Sequence, residues 1–202
     1  MKKFEKIIKE RILPNFKGFK YEKSIMFKTP LRDILSGFYF ERIDKHVYVW
    51  LFFQPLFIPH KNLYFTFGER LGQKHKRFSL DEADMDNTIE ILNNLIRLNI
   101  DAVENLEPVQ EFYNYFSEKN TNFNTFLDLV FTSCFLGKPD SRLELKTLRD
   151  EINTSDNMHL AWMQELLTRT ELLMSSTQEE KSLLFAEWRK FTLNEIGLRS
   201  DK

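Results

Sequence analysis

The residues that could do chemistry by type are four histidines, one cysteine and a short acidic run, and their spacing decides what that chemistry would be. His46, His60, His75 and His159 are scattered. No two stand four apart on a helix and none has a cysteine partner, the patterns zinc sites use, so neither a metal nor another cofactor is expected. Asp81, Glu82, Asp84 and Asp86 lack the glycine and the bidentate glutamate of a calcium loop. Carboxylates at a helix start are favoured by the helix dipole, which accounts for them structurally. Cys134 lies within LVFTSCFL, an apolar helical run, whereas a reactive thiolate needs a polar, electropositive setting. A phosphate-cradling glycine loop, a GxSxG elbow and a dinucleotide fingerprint are all missing, so no catalytic residue is assigned.

Two constellations remain. Glu69 and Arg70 precede a basic cluster of Lys74, His75, Lys76 and Arg77, which could hold an anion at the end of a strand or form a solvated loop. Together with Tyr39, Tyr48 and Tyr64, Arg70 could line a pocket between a sheet and helices, because such pockets combine aromatic walls with a few polar groups. The second constellation is the loop at 55–61, where Leu56, Phe57 and Ile58 stand between two prolines. These three residues either fold inward, since exposed apolar patches are uncommon on monomers, or anchor a partner protein.

The elements that must position these residues are organised around the stretch at 37–72, the most concentrated apolar material in the chain. In 47–54 both alternating faces are apolar or aromatic, which predicts a central strand covered on both sides. The run at 38–43 precedes it with only Asp44 and Lys45 between, which suits a two-residue hairpin turn. Leu63, Phe65 and Phe67 share one face of a half-buried strand at 63–67. Upstream, a short amphipathic helix at 2–12 is stopped by Pro14, and 19–28 reads as an edge strand whose apolar face is broken by Lys23. Downstream, Ser79 and Glu82 suggest a capping box opening a long helix through Met85, Ile89, Leu92, Ile96 and Val103. Beyond Pro108 only helices are predicted, at 109–118, 123–136, 141–152, 157–174 and 178–196. Asn122, Ser141 with Glu144, Asp156, and Thr177 with Glu180 are their caps, and Gly197 is a left-handed stop.

The predicted fold class is therefore α+β: an N-terminal helix and a four-stranded antiparallel meander packed on a long helix, then an all-helical half. The division falls between an α+β domain at 1–106 and a helical subdomain at 107–202 packed against it. A formal charge of −1, from 29 basic and 30 acidic residues, supplies no global field to attract nucleic acid or an acidic membrane and leaves only local patches. A single cysteine and no apolar run of membrane-spanning length suggest a cytoplasmic protein with no membrane partner. The 20 phenylalanines accompany an excess of Lys, Asn and Ile and are read as core packing.

With LPNFKGF at 13–19, then Met26, Phe27 and Lys28, the strand VWLFFQ at 49–54 and FTFG at 65–68, the chain over 4–70 resembles a bacterial domain-of-unknown-function family, number 4304. The resemblance implies an α+β fold and no established activity. It departs from the family in the loop at 55–59 and leaves the helical half unaccounted for. Two function classes follow. The first is a non-enzymatic protein-interaction protein of the immunity or accessory kind, docking through Leu56, Phe57 and Ile58. The alternative is a small-molecule or anion-binding protein, or an enzyme built on such a pocket, using Tyr39, Tyr48, Tyr64, Arg70, Lys74 and His75.

Overall fold

The computed structural model describes residues 2–72, 77–119 and 122–198. The chain opens with α1 (Lys2–Ile7), which widens into a π turn (Ile8–Ile12) and ends in a 3-10 turn (Leu13–Asn15) carrying Pro14. Ile8 and Ile12 are fully buried in the core, so the apolar spacing of this segment positions it as expected.

Among the described residues six strands follow: β1 (Phe19–Glu22), β2 (Ile25–Lys28), β3 (Ile34–Ile43), β4 (His46–Pro55), β5 (Phe67–Arg70) and β6 (Phe78–Ser79). The first five form an antiparallel meander in sequence order, and β6 pairs with β4 beyond the end of β5, Phe78 opposite Val47. The centre is the β3–β4 hairpin, in register from Ile34 opposite Pro55 to Ile43 opposite His46. It turns through Asp44 and Lys45, with Asp44 at a φ of 53°. Gly37 lets β2 approach, since a Cβ there would stand 2.1 Å from the Met26 carbonyl oxygen.

Two strands differ from expectation. The segment at 19–28 is a hairpin, with Lys23 (φ 48°) and Ser24 (φ 65°) as its left-handed turn. Lys23 is thus a turn residue and not an inward charge on an edge strand, and its ammonium donates to the Ile196 carbonyl oxygen at 3.1 Å. The strand expected at 63–67 joins the ladder only at Phe67. Before it, the buried Gln54 side chain accepts from the Tyr64 N–H (3.0 Å) and donates to the Asn62 carbonyl oxygen (3.4 Å), which satisfies backbone groups a ladder would have used.

One sheet face, with Phe38, Phe40, Val49, Leu51 and Phe53, belongs to the main core and meets Ile89, Leu92, Ile96 and Val103 of α2 (Met85–Asn105). The other face carries Ile25, Phe27, Leu35 and Phe52, and is closed by Leu193, Ile196 and Leu198 at the end of α7 (Gln178–Ile196). Between these helices run α3 (Val109–Ser117), α4 (Phe123–Phe135), α5 (Ser141–Thr154) and α6 (Ala161–Ser175). The main core is continuous from Phe4 through the sheet to Phe185, so the β-rich and helical halves share it.

The helix ends separate local chemistry from tertiary demand. Asn122 accepts from the Thr125 N–H, Thr177 and Glu180 form a reciprocal capping box, and Gly197 adopts φ 67° while Leu198 N–H reaches the Leu193 carbonyl oxygen. Ser79 does not cap α2. It sits in β6, accepts from the Asp81 N–H (3.2 Å), and is followed by a 3-10 turn (Glu82–Asp84). Ser141 lies inside α5, because Glu144 is drawn to the Ser133 hydroxyl on α4. The next helix begins at Ala161 and not near Asp156. Among the described residues no helix is long and apolar enough to cross a membrane.

Candidate functional site

Where the chain leaves β4 it makes the loop at 55–61, and this loop is built into the core. Leu56 donates its N–H to the Asp33 carbonyl oxygen at 2.8 Å and joins the α7-covered cluster. The Phe57 ring stacks on Phe135 with centroids 4.0 Å apart and meets Phe185 edge-on. Ile58 belongs to the main core, and its carbonyl accepts from the Thr192 hydroxyl at 2.8 Å. None of the three is more than 1% exposed, so the exposed-anchor expectation for Leu56, Phe57 and Ile58 is corrected to the inward packing. Apolar burial between two helices outweighs the prolines' interruption of the ladder.

The same loop delivers His60 to a cavity of about 310 Å³ between it, α4 and α6. Thr192 fixes the approach by accepting from the His60 N–H at 3.1 Å, and Arg169 donates to the Pro59 carbonyl oxygen at 3.2 Å. His60 stacks on Tyr64 with centroids 5.0 Å apart. Across from it, α4 contributes Asp128, whose side chain is 2% exposed and whose Oδ1 lies 3.7 Å from His60 Nε2. Asp128 Oδ2 and His60 Nε2 are buried without a hydrogen-bond partner among the described residues. Both residues line the cavity, together with Trp162, Glu165 and Arg169 of α6.

The electrostatics follow from this burial. Loss of water disfavours the charged form of each group. It pushes the Asp128 carboxyl up to about 8 and the His60 imidazole down to about 4, with the Arg169 charge adding to the second effect. Near neutral pH the pair is an uncharged acid beside an uncharged base, among aromatic and apolar walls that also carry Asn124, Glu165 and Arg169. Arg169 is ion-paired to Glu165, four residues earlier on the same helix.

The other expected site residues are divided. Tyr64 lines this cavity, whereas Tyr39, Tyr48 and Arg70 stand on the β3–β4–β5 ladder, with Trp50 opposite both Tyr39 and Arg70 and Tyr48 opposite Glu41. There the Arg70 guanidinium lies 4.3 Å from the Tyr48 ring centroid and 4.7 Å from that of Trp50. It donates to Glu41 at 3.0 Å, and the Trp50 indole donates to the same carboxylate oxygen at 2.9 Å. Glu41 therefore offsets the charge on which an anion site would depend. Tyr39 packs on Phe65 at 4.9 Å, and its hydroxyl is raised by burial and by Glu41. The expected single pocket with all four residues is thus two separate places, and Lys74 and His75 lie outside the described residues.

His60, set aside above as one of four scattered histidines, was not foreseen as a site residue, and neither were Asp128, Trp162, Glu165 and Arg169. The available signal was an acid inside the apolar run FLDLVF, a charge on a helix face that must be buried. A larger cavity of about 460 Å³, lined by Phe67, Glu69, Asn99, Tyr115 and Lys119, holds no buried side-chain polar atom lacking a partner. Cys134 is fully buried and its thiol is pushed up to about 11, the unreactive state its apolar run implied. Among the described residues no group of three or more His, Cys, Asp or Glu could hold a metal ion. Comparison with protein-family models, with curated proteins and with solved structures finds no match to the chain.

Proposed function

We propose that this chain is a small-molecule-binding protein whose ligand enters the cavity between the loop at 55–61, α4 and α6. The observation that carries the reading is the pairing of a buried Asp128 with a buried His60, each with an unpartnered polar atom, in a cavity with aromatic walls. An unmade buried hydrogen bond costs roughly 1–3 kcal/mol, and a ligand that makes it recovers that free energy on binding. A protein-docking role loses its main support once Leu56, Phe57 and Ile58 are buried.

Asn124 is exposed at the cavity's edge, so Asn124→Trp narrows access without disturbing the core. A thermal-shift screen of small polar aromatics against both proteins tests the reading. Compounds that raise the wild-type midpoint and lose that effect in Asn124→Trp, whose own midpoint is unchanged, support it. Compounds that stabilise both proteins equally contradict it.

A further inference from the structure

We infer that the ligand of this cavity is an organic cation, an amine or amidinium on a flat body, held by the Asp128 carboxylate between the aromatic rings of Tyr64 and Trp162. This inference rests on the binding reading above and specifies its ligand. Three observations lead to it. First, the cavity's cationic side chain is already engaged: Arg169 is taken by Glu165 and by the Pro59 carbonyl oxygen, and His60 is held neutral. Among the described residues that line it, no free cation remains to receive an anion. Second, among the described residues lining the cavity, Asp128 is the carboxyl that faces no Arg or Lys: at 2% exposure its Oδ2 has no hydrogen-bond partner, and its Oδ1 faces only the neutral His60 at 3.7 Å. A positive group beside it turns a disfavoured buried ionisation into a charge-assisted pair. Third, the walls include the Tyr64, Phe131 and Trp162 rings, whose faces attract cations, and Trp162 is half exposed and so stands at the entrance.

In the free protein at neutral pH the Asp128 carboxyl carries its proton. When the cation binds, that proton passes to solvent, the carboxylate pairs with the ligand, and His60 stays available as a neutral hydrogen-bond partner. Binding of a cation at pH 7 therefore releases about one proton per ligand.

Benzamidine and benzamide test this, being alike in shape and different in charge. Calorimetric titrations at pH 7 in two buffers of different ionisation enthalpy give both affinity and proton count. Benzamidine is expected to bind at least about tenfold more tightly than benzamide, with release of about one proton. Asp128→Asn, close to isosteric, is expected to abolish both the preference and the release. Trp162→Ala, at an exposed position, is expected to weaken benzamidine several-fold while leaving the fold intact. Benzamide binding as tightly as benzamidine, without proton release and sensitive to Asn124→Trp, overturns the cation and leaves the binding reading standing. Benzamidine binding unaffected by Asp128→Asn and Asn124→Trp overturns both.

Discussion

Asp128 and His60 make opposing contributions to stability, and the sign of each is fixed by burial. The folded protein holds the Asp128 proton up to about pH 8, whereas the unfolded chain releases it near 3.8, so stability falls as pH rises between those values. The unfolded chain protonates His60 below about 6.5, whereas the folded protein resists to about 4, so this group's contribution rises with pH over that interval. The two slopes oppose between about pH 4 and 6.5, leaving a net fall in stability as pH rises from 6.5 to 8. Chemical denaturation at pH 5, 6.5 and 8 checks this: Asp128→Asn should gain on wild type progressively toward pH 8. A constant difference across the range would contradict the assignment. At this scale the sequence was only partly legible. His60 was visible only as a scattered histidine and Tyr64 as a wall residue, but Asp128 meets His60, and Arg169 meets the neighbouring Pro59, through helix packing at separations of 68 and 110 residues, which no local pattern encodes.

At the scale of elements, what could be read is what local chemistry decides. The Asp44–Lys45 turn and its flanking alternation placed the β3–β4 hairpin, and the Thr177–Glu180 box and Gly197 placed both ends of α7. What could not be read is decided by tertiary partners. Lys23 and Ser24 are not the usual glycine, asparagine or aspartate of a left-handed turn, and the α7 carboxyl end rewards Lys23 there with a hydrogen bond. Gln54 delays β5 by bonding the backbone at 62 and 64. Two outcomes follow. Thr177→Ala should cost about 1 kcal/mol by removing the capping box. Gly197→Ala should cost about 1–2 kcal/mol, since an L-residue is strained at a φ of 67° and its Cβ would displace the Lys23 ammonium. Equilibrium unfolding in urea measures both, and a neutral Gly197→Ala would show that α7 does not end as described.

At the scale of the whole molecule, the loop at 55–61 joins the halves. It puts Leu56 into one cluster and Phe57 and Ile58 into the other, and its backbone is held by Thr192 and Arg169 from the helical half. Phe57→Ala is therefore expected to destabilise the protein by about 3–5 kcal/mol, with the sheet and helices still melting in one transition. Calorimetry would reveal two transitions if the halves were independent. The loop's burial and the cavity beneath it are two results of one arrangement, since the chain that buries Ile58 must carry His60 toward α4. The most direct test of that arrangement is a carbon-13 titration of the Asp128 side-chain carboxyl in the free protein. A midpoint near 8, well above the usual 3.8, is the predicted result. A midpoint in the ordinary carboxylate range would mean that water or a cationic partner already satisfies Asp128, and would contradict the cavity as a ligand site.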